Sequence, residues 1–99
     1  VPYLDNIAYT THAVQKMDQR GMVKEMIENA LANGEMIEEY ETSEEARYLI
    51  HWKRGLGQLV KHIHVVAADQ ALGRTVVITA YDPRSQADRW SDDFKTRID

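Results

Sequence analysis

A chain of 99 residues is long enough for one hydrophobic core and too short for two, so residues 1–99 read as a single domain. With 43% hydrophobic and 28% charged residues, no apolar run of bilayer-spanning length and no cysteine, the composition argues against a helical membrane span, a disulfide framework and a thiolate zinc site; no leader is read at Val1, and a reducing cytoplasm is the default expectation. The net charge of −4 runs against a sequence-independent grip on nucleic acid, but it is unevenly spread: residues 24–46 hold eight acids against Lys24, whereas residues 47–99 hold nine bases against six acids.

In AYTTHAVQKMDQRG, Thr10 or Thr11 can cap a short helix, Val14 and Met17 mark its apolar side and Gly21 stops it. A second helix follows in GMVKEMIENALANG, where Val23, Met26, Ile27, Ala30 and Leu31 recur at helical spacing and Asn33 with Gly34 closes the run. The period then changes to two. EMIEEYE, RYLIHWK, QLVKHIHVVA and TVVITAY read as strands, joined by TSEEA, RGLG and DQALGR, all short enough for hairpins. After Asp82 and Pro83, Ser85 and Asp88 stand at capping-box spacing, with Trp90, Phe94 and Arg97 on one face of a short C-terminal helix.

These elements predict an α+β fold in which two N-terminal helices pack on one face of a four-stranded antiparallel β-meander and the other face stays open. Leu59, Ile63, Val65 and Ala67 on the third strand, with Val76, Ile78 and Ala80 on the fourth, make the continuous apolar set expected on the helix side. Strand parity then sends Val60, His62, His64 and Val66 to the open face, beside Thr75, Val77, Thr79 and Tyr81, with Arg47, His51 and Lys53 added from the second strand. One bulge would flip every residue beyond it.

The segments THAVQKMDQRG, GEMIEEY, HIHVV and VITAYDP, followed by Trp90, Phe94 and Arg97, resemble a bacterial and archaeal domain-of-unknown-function family, DUF4258, whose pattern runs in the same order. Two positions depart from it: Val23 stands where a capping serine is common, and His62 is an extra imidazole beside the family's histidine at His64. The resemblance places the chain near the RelE-like and barnase-like ribonuclease toxins. It implies a metal-independent endoribonuclease with RNA as its substrate, no cofactor, and a small zinc-ribbon antitoxin as partner.

Metal-independent RNA cleavage needs a base near the 2′ hydroxyl, an acid near the leaving 5′ oxygen and cations around the phosphorus centre. His64 is the first candidate for a proton role because imidazole titrates near neutrality; the alternative is a histidine satisfied by a backbone or tyrosine partner within the sheet. His62 has the same alternative and is otherwise a phosphate contact. His12 lies in the first turn of helix one, where the positive helix end favours a neutral ring; it is a second proton-transfer candidate or a brace for the helix start. Tyr81, at a strand end, either assists proton transfer or lids the core. Arg20, Lys53 and Arg97 are the candidate phosphate contacts, Arg20 standing equally as a complement to the helix C-terminus and Arg97 as a partner for Asp93.

Two other functional classes stay open. His62 and His64, spaced by two on a strand, can share a metal with His51 or His12, although no carboxylate is read on that face. A non-catalytic binding module would instead present the acidic stretch Glu35–Glu45 and a sheet edge to a protein partner.

Overall fold

A computed structural model describes residues 2–41 and 45–98. The elements run β1 (Ile7–Tyr9), α1 (Thr11–Gln19), α2 (Lys24–Asn33), β2 (Glu35–Glu41), β3 (Ala46–Arg54), β4 (Lys61–Gln70) and β5 (Arg74–Tyr81), with 3₁₀ turns at Gly57–Leu59 and Pro83–Arg89. Three residues of the TSEEA connection lie outside the described residues. No helix among the described residues is long and apolar enough to cross a membrane.

The α+β class holds, but the four-stranded antiparallel meander does not. Among the described residues the sheet has five strands in the order β1-β5-β4-β3-β2, and β1 runs parallel to β5 while the other pairs are antiparallel. Three residues are too few for an alternating pattern to be read, which is why β1 escapes the sequence. The strand is fixed by its ends: Thr75 donates its N–H to the Asn6 carbonyl at 3.0 Å and Thr10 donates to that of Val77 at 3.1 Å.

Thr10 caps α1, its hydroxyl accepting from the Ala13 N–H at 3.0 Å. The buried face of α1 is Ala13 and Met17, an i,i+4 pair, and Val14 is turned outward. Ile27, Ala30 and Leu31 of α2 are buried as the spacing predicts, whereas Val23 sits exposed before the first turn. Gly34 ends α2 because of what surrounds it. A Cβ there would run into Ile50 Cγ2 and the carbonyls of Ala30 and His51.

The core gathers Ala13, Met17, Ile27, Ala30 and Leu31 from the helices and Tyr48, Ile50, Ile63, Val65, Ala67, Val77 and Ala80 from the sheet. Val77 replaces the expected Val76 and Ile78 because β5 is bulged: Val66 pairs with Thr79 and Ala67 with Val77, which leaves Ile78 as the extra residue. Thr75, also expected outside, is buried in a bonded set, accepting from Tyr3 N–H and donating to Asp69, which also takes the Tyr48 hydroxyl at 2.5 Å. Leu59 is exposed in the 3₁₀ turn before β4.

The predicted C-terminal helix is absent. Asp82 caps the 3₁₀ turn by accepting from the Arg84 N–H at 2.9 Å, and the chain then extends at Trp90 and doubles back so that Trp90 and Arg97 bridge as in a hairpin. Asp93 accepts from Ser91 Oγ and from the Lys95 N–H, holding a tight turn, and Phe94 sits at φ 60°. Short polar side chains that bond the nearby backbone compete with the helix in this way. Trp90, Phe94 and Arg97 therefore do not share a helical face, and residues 90–97 lie over the sheet face expected to be open.

Candidate functional site

The site begins with cross-strand pairing. On the face away from the helices His51 stands opposite His64, and Lys53 opposite His62. The diagonal pair is the one in hydrogen-bond contact: His51 Nε2 and His62 Nδ1 are 2.9 Å apart, and the His51 and His64 rings meet edge-on with centroids 5.4 Å apart. A single proton bridges His51 and His62, so one ring donates and the other accepts.

His64 lies at the bottom, fully buried. Its Nε2 is 2.7 Å from the Phe94 carbonyl, which can only accept, so Nε2 carries the proton; its Nδ1 faces the Tyr81 hydroxyl at 3.3 Å as acceptor. The Trp90 indole closes on the ring edge-on at 4.5 Å between centroids. Burial pushes the His64 pKa down to about 4, against the opposing pull of the Phe94 bond. His51 and His62 are also held below the usual imidazole value, by burial first, then by the neighbouring imidazole at His51 and by Arg84 and Lys53 at His62.

A bulge completes this face. In β2 Met36 pairs with Ile50 and Glu38 with Leu49, leaving Ile37 extra, which swings Glu38 to the histidine side. Tyr81, which pairs with His64, stands on this face by parity alone; the bulge at Ile78 turns Val77 and Thr75 inward instead. Glu38 receives Arg97 in a two-point bond at 2.6 and 3.2 Å and also takes the Tyr40 hydroxyl. Burial works to raise the Glu38 pKa, but the Arg97 and Tyr40 bonds outweigh it and hold the carboxyl below its ordinary range. The Arg97 guanidinium lies over the Trp90 ring at 4.7 Å, so its ion pair with Glu38 ties the covering segment to β2.

Beside the sealed histidine a groove stays accessible, lined by His51, Lys53, Val60, His62, Asp93 and Lys95. His62 is half-buried there, its ring against Phe94 at 4.7 Å, and Lys53 is exposed. The structure thus brings together His62, His64, Tyr81, Lys53 and Arg97 of the sequence candidates. It separates His12, exposed on α1 in the layer across the sheet. Arg20 ends α1 at the rim, its Nη1 donating to the Ala80 carbonyl at 2.6 Å. Strand parity reaches His51 but not its bond to His62, and it misses Glu38, which only the β2 bulge delivers. Among the described residues no group of three or more His, Asp or Glu side chains is arranged to hold a metal, and both ring nitrogens of His64 are engaged.

A family model described as a domain of unknown function, DUF4258, matches residues 9–82. The chain belongs to the DUF4258 family. No curated protein and no solved structure matches it. In this DUF4258 domain the match takes in α1 through β5 and the three clustered histidines, and it stops at Asp82, before the segment that covers them. The sequence pattern's Trp90, Phe94 and Arg97 therefore lie outside the matched residues.

Proposed function

We propose that the domain cleaves RNA as a metal-independent endonuclease of the toxin type, with His62 as the general base. The observation that carries this reading is the His51–His62 pair, 2.9 Å apart at the floor of a groove whose rim holds Lys53 and Lys95 together with Asp92 and Asp93. With its Nδ1–H given to His51 Nε2, His62 presents the lone pair of Nε2, and its lowered pKa keeps that lone pair available at neutral pH. The proton of the 2′ hydroxyl passes to His62; the 2′ oxygen bonds to phosphorus, and the bond from phosphorus to the 5′ oxygen breaks. Lys53, directly across the ladder from His62, gives the leaving oxygen its proton. The products are a 2′,3′-cyclic phosphate and a 5′ hydroxyl, and proton return from His62 to Lys53 through water closes the cycle.

His64 and Tyr81 act in this reading beneath the reacting groups, as positioning residues that hold the floor dry. The resemblance to RelE-like and barnase-like toxins supports the same reaction class, and with it a zinc-ribbon antitoxin as the neutralising partner. The test is cleavage of single-stranded RNA with chelator present, reading the cyclic phosphate end. Wild type should cut, and His62→Ala should lose about 10²–10⁴-fold in rate while staying folded. Cleavage untouched in His62→Ala would remove the assignment. Binding without cleavage by folded wild type would leave an RNA-binding module in its place.

A further inference from the structure

His62 borders a second concavity, around the end of the sheet from the groove. Its floor is apolar, made by Met22, Met26 and the buried Ile63, and its rim carries Arg20, Lys61 and Arg84. The rim charges are not equivalent. Arg84 is neutralised by Asp82, which it grips through Nε and Nη2 at 2.7 to 3.1 Å, so that pair adds almost no field. Arg20 and Lys61 have no carboxylate partner among the described residues. Arg20 spends one of its five donors on the Ala80 carbonyl, a bond that fixes the guanidinium at the pocket wall while leaving donors for an anion.

Two unpaired cations above two thioethers suit a ligand with a doubly charged oxyanion at one end and a flat π-system at the other. Methionine sulfur is polarizable and packs well against aromatic rings, and guanidinium recognises phosphate through paired donors. We propose that this pocket is a nucleotide subsite, taking one base against Met22 and Met26 and its phosphate on Arg20 and Lys61. It rests on the ribonuclease reading for one point only, that the nucleotide belongs to an RNA strand whose next phosphate lies in the groove at His62.

The chain's four methionines give a direct readout, because Met36 on β2 is remote from the pocket and serves as an internal reference. Titration with adenosine 5′-monophosphate, followed through the methionine methyl signals, should move Met22 and Met26 and leave Met36 still. Adenosine alone and inorganic phosphate alone should each bind at least about tenfold more weakly, since each keeps half of the contacts. Arg20→Gln should weaken the nucleotide about tenfold. Because Arg20 also ties to Ala80, Lys61→Gln on the exposed start of β4 gives a second variant, expected to weaken binding about threefold with the fold untouched. No movement of Met22 and Met26, or equal affinity in both variants, would overturn the site.

The mononucleotide has no bond to cut, so this result stands apart from any failure of cleavage. A 2′-O-methylated trinucleotide, which lacks the attacking hydroxyl, separates the two sources of the ligand. If it moves Met22 and Met26 together with the His62 ring, the pocket is part of an RNA path. If it leaves the methionines still while the mononucleotide moves them, the RNA assignment is overturned and the pocket takes free nucleotide.

Discussion

His64 carries a cost that appears only in acid. Its folded pKa of about 4 lies below the ordinary imidazole value of 6.5, so between those two pH values the unfolded chain binds a proton that the folded chain refuses. Stability therefore falls as pH drops from about 6.5 to 4 and levels off below, and a shift of this size corresponds to roughly 3 kcal/mol. Denaturant titrations at pH 7 and pH 4.5 should show this loss in wild type and a clearly smaller one in His64→Leu; equal slopes would mean that His64 is not the buried neutral ring described above. The sequence displayed both readings of His64, and the residues decide how they combine. Parity put the imidazole on the right face, next to Tyr81, but the acceptor that completes its satisfaction is a backbone carbonyl at residue 94, and no pattern of side chains encodes where a carbonyl thirty positions away will point.

At the scale of elements, helices α1 and α2 and the four long strands were legible because each carries several turns or alternations of its own period. What was not legible is where the period slips. Ile37 and Ile78 look like any strand isoleucine, yet each is the odd residue of a bulge: the first delivers Glu38 to the histidines, and the second turns Val77 and Thr75 into the core. The C-terminal segment misleads for a different reason: its helical spacing is real, but Asp82, Ser91 and Asp93 bond the local backbone and win. Gly34 offers a test of how tightly α2 is set against β3. Gly34→Ala drives a methyl into Ile50 and two carbonyls, one of them that of His51, and should cost about 2–3 kcal/mol, lowering the melting temperature by about 10 °C or more. Gly21→Ala meets no neighbour and loses only the left-handed backbone preference, about 1 kcal/mol. Similar losses in the two variants would refute the close approach at Gly34.

Across the whole molecule the charges sort by place. Glu25 and Glu28 on α2 and Glu35, Glu39 and Glu41 on β2 are exposed, whereas Lys53, Lys61 and Arg20 ring the end of the sheet where the groove and the second pocket meet at His62. A net charge of −4 thus conceals a basic end. The covering segment joins the two regions, Arg97 to Glu38 and Lys95 to Glu35, but Arg97, Lys95 and Glu35 are well exposed and each pair contributes at most about 1 kcal/mol. The stronger attachment is Trp90, 3% exposed. Trp90→Ala should cost about 3–5 kcal/mol and open His64 to solvent, with its ring titrating closer to 6.5 by NMR; Arg97→Gln should change stability by less than about 1 kcal/mol. A Trp90→Ala protein whose His64 still titrates near pH 4 would show that the seal lies elsewhere. The parallel pairing of β1 with β5 also imposes an order on assembly. Ile7 is made well before its ladder partner Thr75, so the first strand waits, unpaired, until β5 has been made. The β3–β4–β5 hairpins can close as they are made, β1 can pair only once β5 is present, and the covering segment follows β5 in sequence. During synthesis the histidine face is therefore bare before it is covered, and a partner that reads this face would find its best opportunity on the growing chain.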